Sequence, residues 1–219
     1  VLYVDLLELT CRWASGLDSP GAVFAAIWSA VAGRQIERPS GIPTTTLKYY
    51  TQDAWTFMPG AGPQYQGTRV LLYYGQGRCQ HWAEFFHDLC GAHGIEIIVL
   101  GLRADGPQTF HVPYKEQQGI PGQGVGDPGQ KYFPNHAVCV RDTNSDGGYL
   151  DENAIYDPSY GLSFVGYGWL DAFDAFEEAA VEYYSGSAFA DVPADDDSYW
   201  HWIANTPAAD YLEAYGPYR

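Results

Sequence analysis

Basic residues are scarce in this chain: 11 Lys and Arg stand against 27 Asp and Glu, for a net charge of −16 over 219 residues. Such a field repels phosphate backbones and anionic lipid surfaces, so nucleic acid and membranes are excluded as expected partners. An acidic surface serves solubility and would also draw basic peptides or amines. Cysteine is sparse and irregular. Cys11, Cys79, Cys90 and Cys139 form no CxxC pair and no dense framework, so free thiols are expected rather than a disulfide scaffold or a zinc site. No run approaches the roughly 20 apolar residues that a membrane span requires. The first residues, VLYVDLLELT, lack the basic flank of a signal peptide and an initiator Met. The expectation is a processed or excised chain whose compartment stays open: secreted, part of a larger protein, or cytoplasmic. There is no internal repeat.

Aromatic side chains are abundant, with 18 Tyr, 10 Phe and 7 Trp, which a disordered chain does not carry. One well-packed domain spanning 1–219 is the expectation. Leu2, Leu6, Leu9 and Trp13 recur at helical spacing, and a second helix is signalled by Asp18 or Ser19 as cap, Pro20 in the first turn and Gly33 as stop. Its core, AVFAAIWSAVA, is apolar almost all round, which predicts a buried helix within an N-terminal helical region, 1–45. TTTLKYY has strand composition, and RVLLYY is a further apolar piece.

The segment GQGRCQHWAEFFHDLCGAHG predicts a helix with Cys79 at its first turn. Trp82, Ala83, Phe86, Leu89 and Cys90 fall on the side of Cys79, while Arg78, His81, Glu84 and Asp88 lie elsewhere. IEIIVLGL follows as a largely buried strand. Residues 104–134, rich in Gly, Pro and Gln, read as a flexible loop insertion, either a lid or rim for a site or a passive surface segment. HAVCVRD and GYLDENAIYD read as a hairpin, GWLDAFDAFEEAAVEYY as an amphipathic helix, and 190–219 as an acidic, aromatic tail wrapped on the surface.

A nucleophilic thiol must be available as thiolate, and a helix N-terminus favours that with unpaired N–H groups and its positive dipole end. Cys79 has that placement, Arg78 adds positive charge, and the glycines of YYGQGRC let backbone amides approach a tetrahedral intermediate. Gln76 is a candidate oxyanion donor. His136 begins one strand of the hairpin and Asp157 ends the other; antiparallel pairing makes those two ends neighbours. Thiol, imidazole and carboxylate are the groups of a cysteine acyl-transfer site. Cys11, Cys90 and Cys139 lie within elements and read as small core residues.

GQGRCQHWAEFFHDLCGAHGIEIIVLGL, then NHAVCV, then AIYDPSYG resembles the core of transglutaminase-like proteins over residues 73–161. The resemblance implies an α+β, papain-like transglutaminase core, with the helix that carries the Cys packed on an antiparallel β-sheet, and Cys79, His136 and Asp157 as catalytic triad. It implies a cysteine-dependent acyl transfer on peptide or glutamine amides through a thioester, in a protease, amidase or transglutaminase, with a protein or peptide as substrate and no required cofactor. Gln80 rather than Trp follows Cys79, and 219 residues are too few to contain the flanking β domains of animal transglutaminases as well. Trp55 matches by order the upstream Trp that holds the oxyanion in some relatives, although a core role is preferred for it. Catalytically silent members share the fold, so a protein-binding module stays open as an alternative.

Asp142, Asn144, Asp146 and Gly147 match the opening of a calcium loop, but the twelfth position is Asn153 and Glu152 falls one place early. A hairpin turn explains the same residues; calcium is a candidate ligand, and a calcium-stabilised extracellular structural domain is a further alternative. His81, Glu84 and Asp88 share a helix face and read as a solvated polar stripe rather than a metal cluster.

Overall fold

A computed structural model of the chain describes residues 3–39, 46–49, 67–104, 110–111, 121–124, 132–133, 135–141, 154–165, 182–184, 189–191 and 200–203. Helix α1 (Val4–Trp13) buries Leu6, Leu9 and Thr10. Helix α2 (Pro20–Ala32) starts where Ser19 Oγ accepts from the Ala22 N–H at 3.3 Å and proline occupies the first turn. It buries Val23, Phe24, Ile27 and Val31 but leaves Ala25 and Ser29 exposed. The expectation of all-round burial is therefore corrected: small residues on an apolar-looking helix can face water at little cost, and bulk decides which side is buried.

Strand β1 (Lys48–Tyr49) is followed by helix α3 (Gly67–Tyr74), strand β2 (Gln76–Gly77) and helix α4 (Cys79–Gly91). RVLLYY thus lies in a helix, with Val70, Leu71 and Leu72 buried and Tyr73 exposed. Gly75, at φ 71°, turns the chain out of α3 into β2, a conformation that suits glycine. β1 and β2 pair in parallel, Lys48 with Gln76 and Tyr49 with Gly77.

The remaining strands are β3 (Ile98–Ala104), β4 (Phe110–His111), β5 (Tyr132–Phe133), β6 (Asn135–Val140), β7 (Ala154–Asp157), β8 (Leu162–Val165), β9 (Glu182–Tyr184), β10 (Phe189–Asp191) and β11 (Trp200–Ile203). A five-stranded sheet runs β11-β3-β6-β7-β8 with every neighbour antiparallel. A four-stranded sheet runs β10-β9-β4-β5.

Three expectations change here. Two strands, β4 and β5, and the buried Gln123 fall within 104–134, which read as a loop without regular structure. Glu182–Tyr184, the end of the expected helix GWLDAFDAFEEAAVEYY, forms β9; the rest of that segment lies outside the described residues. Trp200–Ile203, read as surface tail, pairs with β3 as the edge of the five-stranded sheet. Each is a case of long-range pairing overriding a local pattern, since β-structure is stabilised by partners distant in sequence.

Helix α4 packs on β3 and β6. It buries Cys79, Trp82, Ala83, Phe85, Phe86, Leu89 and Cys90, and the Cys139 thiol of β6 donates to Ala83 O at 3.4 Å. Phe24 and Trp28 of α2, Phe86 of α4 and Tyr156 of β7 form one aromatic cluster, with the Phe24 and Trp28 rings edge-on to Tyr156 at 5.0 and 4.9 Å. Full burial of such a ring, as for Phe24 and Phe86, contributes roughly 1.5–3 kcal/mol, and the half-buried Trp28 less. Together they fix α2 and α4 against the sheet. The architecture is α+β. No described helix is long and apolar enough to cross a membrane.

Candidate active site

The start of α4 is set by its own third residue. The His81 ring accepts the Arg78 N–H at Nδ1, 3.0 Å away, satisfying a donor that precedes the helix. Burial, with the nearby Arg78 charge, pushes the His81 imidazole down to about 4, so at neutral pH the ring is uncharged and able to accept. Gly77 is required beside it, because a Cβ there would lie 2.7 Å from His81 Cβ. Cys79 is thereby fixed in the first turn, where its N–H has no intrahelical partner; it is 7% exposed.

The rest of the polar stripe is engaged by α3, although the Asp88 side chain stays 40% exposed. Gly67 N donates to Glu84 Oε2 at 2.5 Å, Gln80 Nε2 donates to Glu84 Oε1 at 2.9 Å, and Thr68 Oγ1 donates to Asp88 Oδ2 at 2.6 Å. Burial pushes the Glu84 carboxyl up to about 7 against the pull of its two hydrogen bonds. The stripe is a helix–helix seam. Among the described residues no group of three or more His, Cys, Asp or Glu could hold a metal ion.

His136 is the second residue of β6, and Asp157 is the last of β7. The pairing of Cys139 with Tyr156 sets Asp157 opposite Val138, one diagonal step from His136 and on the same face by strand alternation. Their side chains meet: His136 Nε2 lies 2.7 Å from Asp157 Oδ2, and both are sealed from solvent. The second carboxylate oxygen, Oδ1, accepts the Ser159 N–H at 2.9 Å, and Asp157 O accepts from Gly161 N at 2.9 Å, closing a turn whose last residue has φ 67°.

The Cys79 side chain lies close enough to the imidazole to act on its charge. Burial by itself disfavours the His136 cation, but the Asp157 carboxylate and the Cys79 side chain outweigh it and push the ring up to about 10. With Nε2 committed to Asp157, Nδ1 is the nitrogen left to exchange a proton with the thiol. No protein-family model, curated protein or solved structure matches the chain. The functional reading therefore stands on this arrangement of thiol, imidazole and carboxylate.

Gln76, the candidate oxyanion donor, sits half-buried on β2, three residues ahead of Cys79. Asp142, Asn144, Asp146, Glu152 and Trp55 lie outside the described residues. Two residues that the sequence did not single out join the site. Tyr49 and Tyr160 are 1% and 0% exposed, their rings are 5.4 Å apart, and the Tyr160 ring lies 6.0 Å from that of His136. Burial, then the neighbouring Tyr160, Cys79 and Asp157, raise Tyr49 well above 10; burial and Asp157 raise Tyr160 likewise, against a lowering by its hydrogen bond with Tyr49, so both phenols retain their protons. Tyr160 had a weak signal in DPSYG, three residues past Asp157; Tyr49 had none, because it reaches the site through its strand.

Proposed function

We propose that this chain is a cysteine-dependent acyl-transfer enzyme with a papain-like, transglutaminase-like core, acting on peptide or glutamine side-chain amides of protein substrates. The observation that carries the reading is the buried His136–Asp157 contact, 2.7 Å, with the buried Cys79 thiol of the α4 start near enough to act on the imidazole's charge. Cys79, as thiolate, attacks the amide carbonyl carbon; the carbonyl electrons move onto oxygen, which the Cys79 N–H and the Gln76 amide hold. Collapse breaks the C–N bond as imidazolium His136 gives its Nδ1 proton to the departing amine. Asp157 keeps the ring oriented and stabilises its charge throughout. His136 then takes a proton from water as its oxygen attacks the thioester carbon; the C–S bond breaks, Cys79 leaves as thiolate and a carboxylic acid is released, whereas a primary amine in place of water gives the crosslinked amide. Hydrolysis is the preferred outcome. The chemistry needs no metal or cofactor, because these three groups supply nucleophile, acid and base.

Near-complete burial of the three side chains favours a second reading, a catalytically silent protein-binding module. The test is alkylation of Cys79 by iodoacetamide from pH 5 to 9, resolved by peptide mass spectrometry, in wild type and His136→Ala, with release of amine or incorporation of a biotinylated amine scored on denatured casein. Rapid labelling at pH 6 that His136→Ala reduces at least tenfold supports the enzyme. An inert Cys79 in both proteins, with no turnover, sinks it in favour of the binding module.

A further inference from the structure

Residues 121–124, Pro-Gly-Gln-Gly, form a short strap across the site. Arg34 ties both of its ends: its Nη1 donates to Pro121 O at 3.2 Å and its carbonyl accepts from Gly124 N at 3.2 Å. Between those ties the strap touches β1 on one side and the turn after β7 on the other. Tyr49 N donates to Gln123 O at 2.6 Å, and Gln123 N donates to Ser159 O at 3.0 Å. The Gln123 side chain is fully buried, and its Nε2 donates to Pro158 O at 2.7 Å and to Val31 O at 2.8 Å.

Two glycines make this approach feasible. A Cβ at Gly122 would fall 2.7 Å from Tyr49 Cβ; one at Gly124, where φ is +62°, would fall 2.3 Å from Leu47 O. A side chain at either position would push the strap away from β1. Gln123 is thus carried to a fixed place, where it grips the carbonyls of Pro158 and Ser159. Those peptide groups lie inside the turn whose Ser159 N–H holds Asp157 Oδ1 and leaves Oδ2 for His136. The same strap holds Tyr49, whose ring backs Tyr160 against the imidazole.

We infer that Gln123 is a positioning residue of the site: by holding the Pro158 and Ser159 carbonyls it fixes the turn that aims Asp157 at His136. The inference rests on the proposed reading of Cys79, His136 and Asp157 as a working triad, and it acts through Asp157 with no contact to substrate required. Removing the side-chain amide leaves the Pro158 and Val31 carbonyls without their donor, while Ser159 O keeps the Gln123 backbone N–H, and it lets the turn, and with it the carboxylate, adopt other orientations.

The experiment compares wild type, Gln123→Met and Thr10→Val by NMR of histidine ring carbons across pH 5 to 11, with His136→Ala assigning the His136 signal. Methionine keeps the length of glutamine without its donors. Thr10→Val removes two hydrogen bonds of the buried Thr10 hydroxyl, to Leu89 O at 3.2 Å and with the His93 ring at 3.0 Å, near the far end of α4 and about 15 Å along that helix from Cys79, so only the His93 signal should move. Gln123→Met is expected to lower the His136 midpoint by about one unit, a tenfold loss of proton affinity, while Thr10→Val leaves it in place despite a lower Tm. An unchanged midpoint in Gln123→Met, or an equal shift in Thr10→Val, overturns the inference. Should Gln123→Met fail to fold, Gly122→Ala is measured, which displaces the strap but keeps the amide; the same downward shift supports the inference and no shift overturns it. Failure of the enzyme reading is separate: it appears as inert wild-type Cys79, whatever the His136 midpoint does.

Discussion

His136 and Asp157 meet through Nε2 and Oδ2 at 2.7 Å, from neighbouring antiparallel strands and out of contact with solvent. A buried pair of this kind stores its stability in the charge on the ring. The imidazole titrates at about 10 in the folded chain against an ordinary value of 6.5. Its contribution is therefore fully present below pH 6.5 and is lost as pH rises through 10. The Tm of the wild type is expected to fall over that window, and Asp157→Asn is expected to flatten the fall. Calorimetry in matched buffers from pH 6 to 10 checks this; an equal slope in both proteins counts against the pair.

Helix α4 depends on a neutral His81 ring to accept the Arg78 N–H. The imidazole is pushed down to about 4 by burial, so its contribution is present above pH 6.5 and is lost as pH falls through 4. His81→Ala is expected to cost about 1 kcal/mol at pH 7, as loss of a helix cap does. Urea titrations at pH 7 and pH 4 measure it, and the difference between variant and wild type should shrink at the lower pH.

Glu84 behaves in the opposite sense to most carboxylates. Burial pushes it up to about 7 from 4.5, so the stabilising form is the protonated one, present below pH 4.5 and lost as pH rises through 7. Glu84→Gln, which keeps an acceptor for Gly67 N, is expected to remove that part of the pH dependence of Tm. A variant whose Tm falls between pH 4.5 and 7 as steeply as the wild type would refute this account of the α3–α4 seam.

Gly161 closes the Asp157 turn with φ 67°, and a Cβ there would come within 2.9 Å of Ala32 O. Gly161→Ala is expected to cost about 1–2 kcal/mol from the left-handed backbone, with the clash added. Denaturant midpoints measure the loss, and a variant as stable as the wild type would show that the turn relaxes freely.

Several parts of the site were legible from residue order. The apolar spacing of Trp82, Ala83, Phe86, Leu89 and Cys90 gave the buried side of α4, and Phe85 was missed because it adds a second row to that side. The hairpin argument gave the proximity of His136 and Asp157, since antiparallel strands bring the start of one beside the end of the other. The seam of His81, Glu84 and Asp88 was read as solvated because spacing along one helix says nothing of a second helix laid across it. Gln123 was read as part of a loop for a related reason: a Gly/Pro/Gln composition marks irregular backbone, and irregular backbone can still be fully hydrogen-bonded and buried.

Local chemistry in the sequence determined helices α1, α2 and α4, that Cys79 stands at a helix start, and that a thiol, an imidazole and a carboxylate are available in order. Those properties depend on periodicity, caps and turns, which act over a few residues. Tertiary structure decided that the Asp157 turn is gripped by Gln123, that Tyr160, backed by Tyr49, lies beside the imidazole, and that β11 closes the sheet edge. Each joins segments far apart in the chain, and such contacts are fixed by shape, burial and hydrogen-bond satisfaction in the folded core, where no local pattern records the partner.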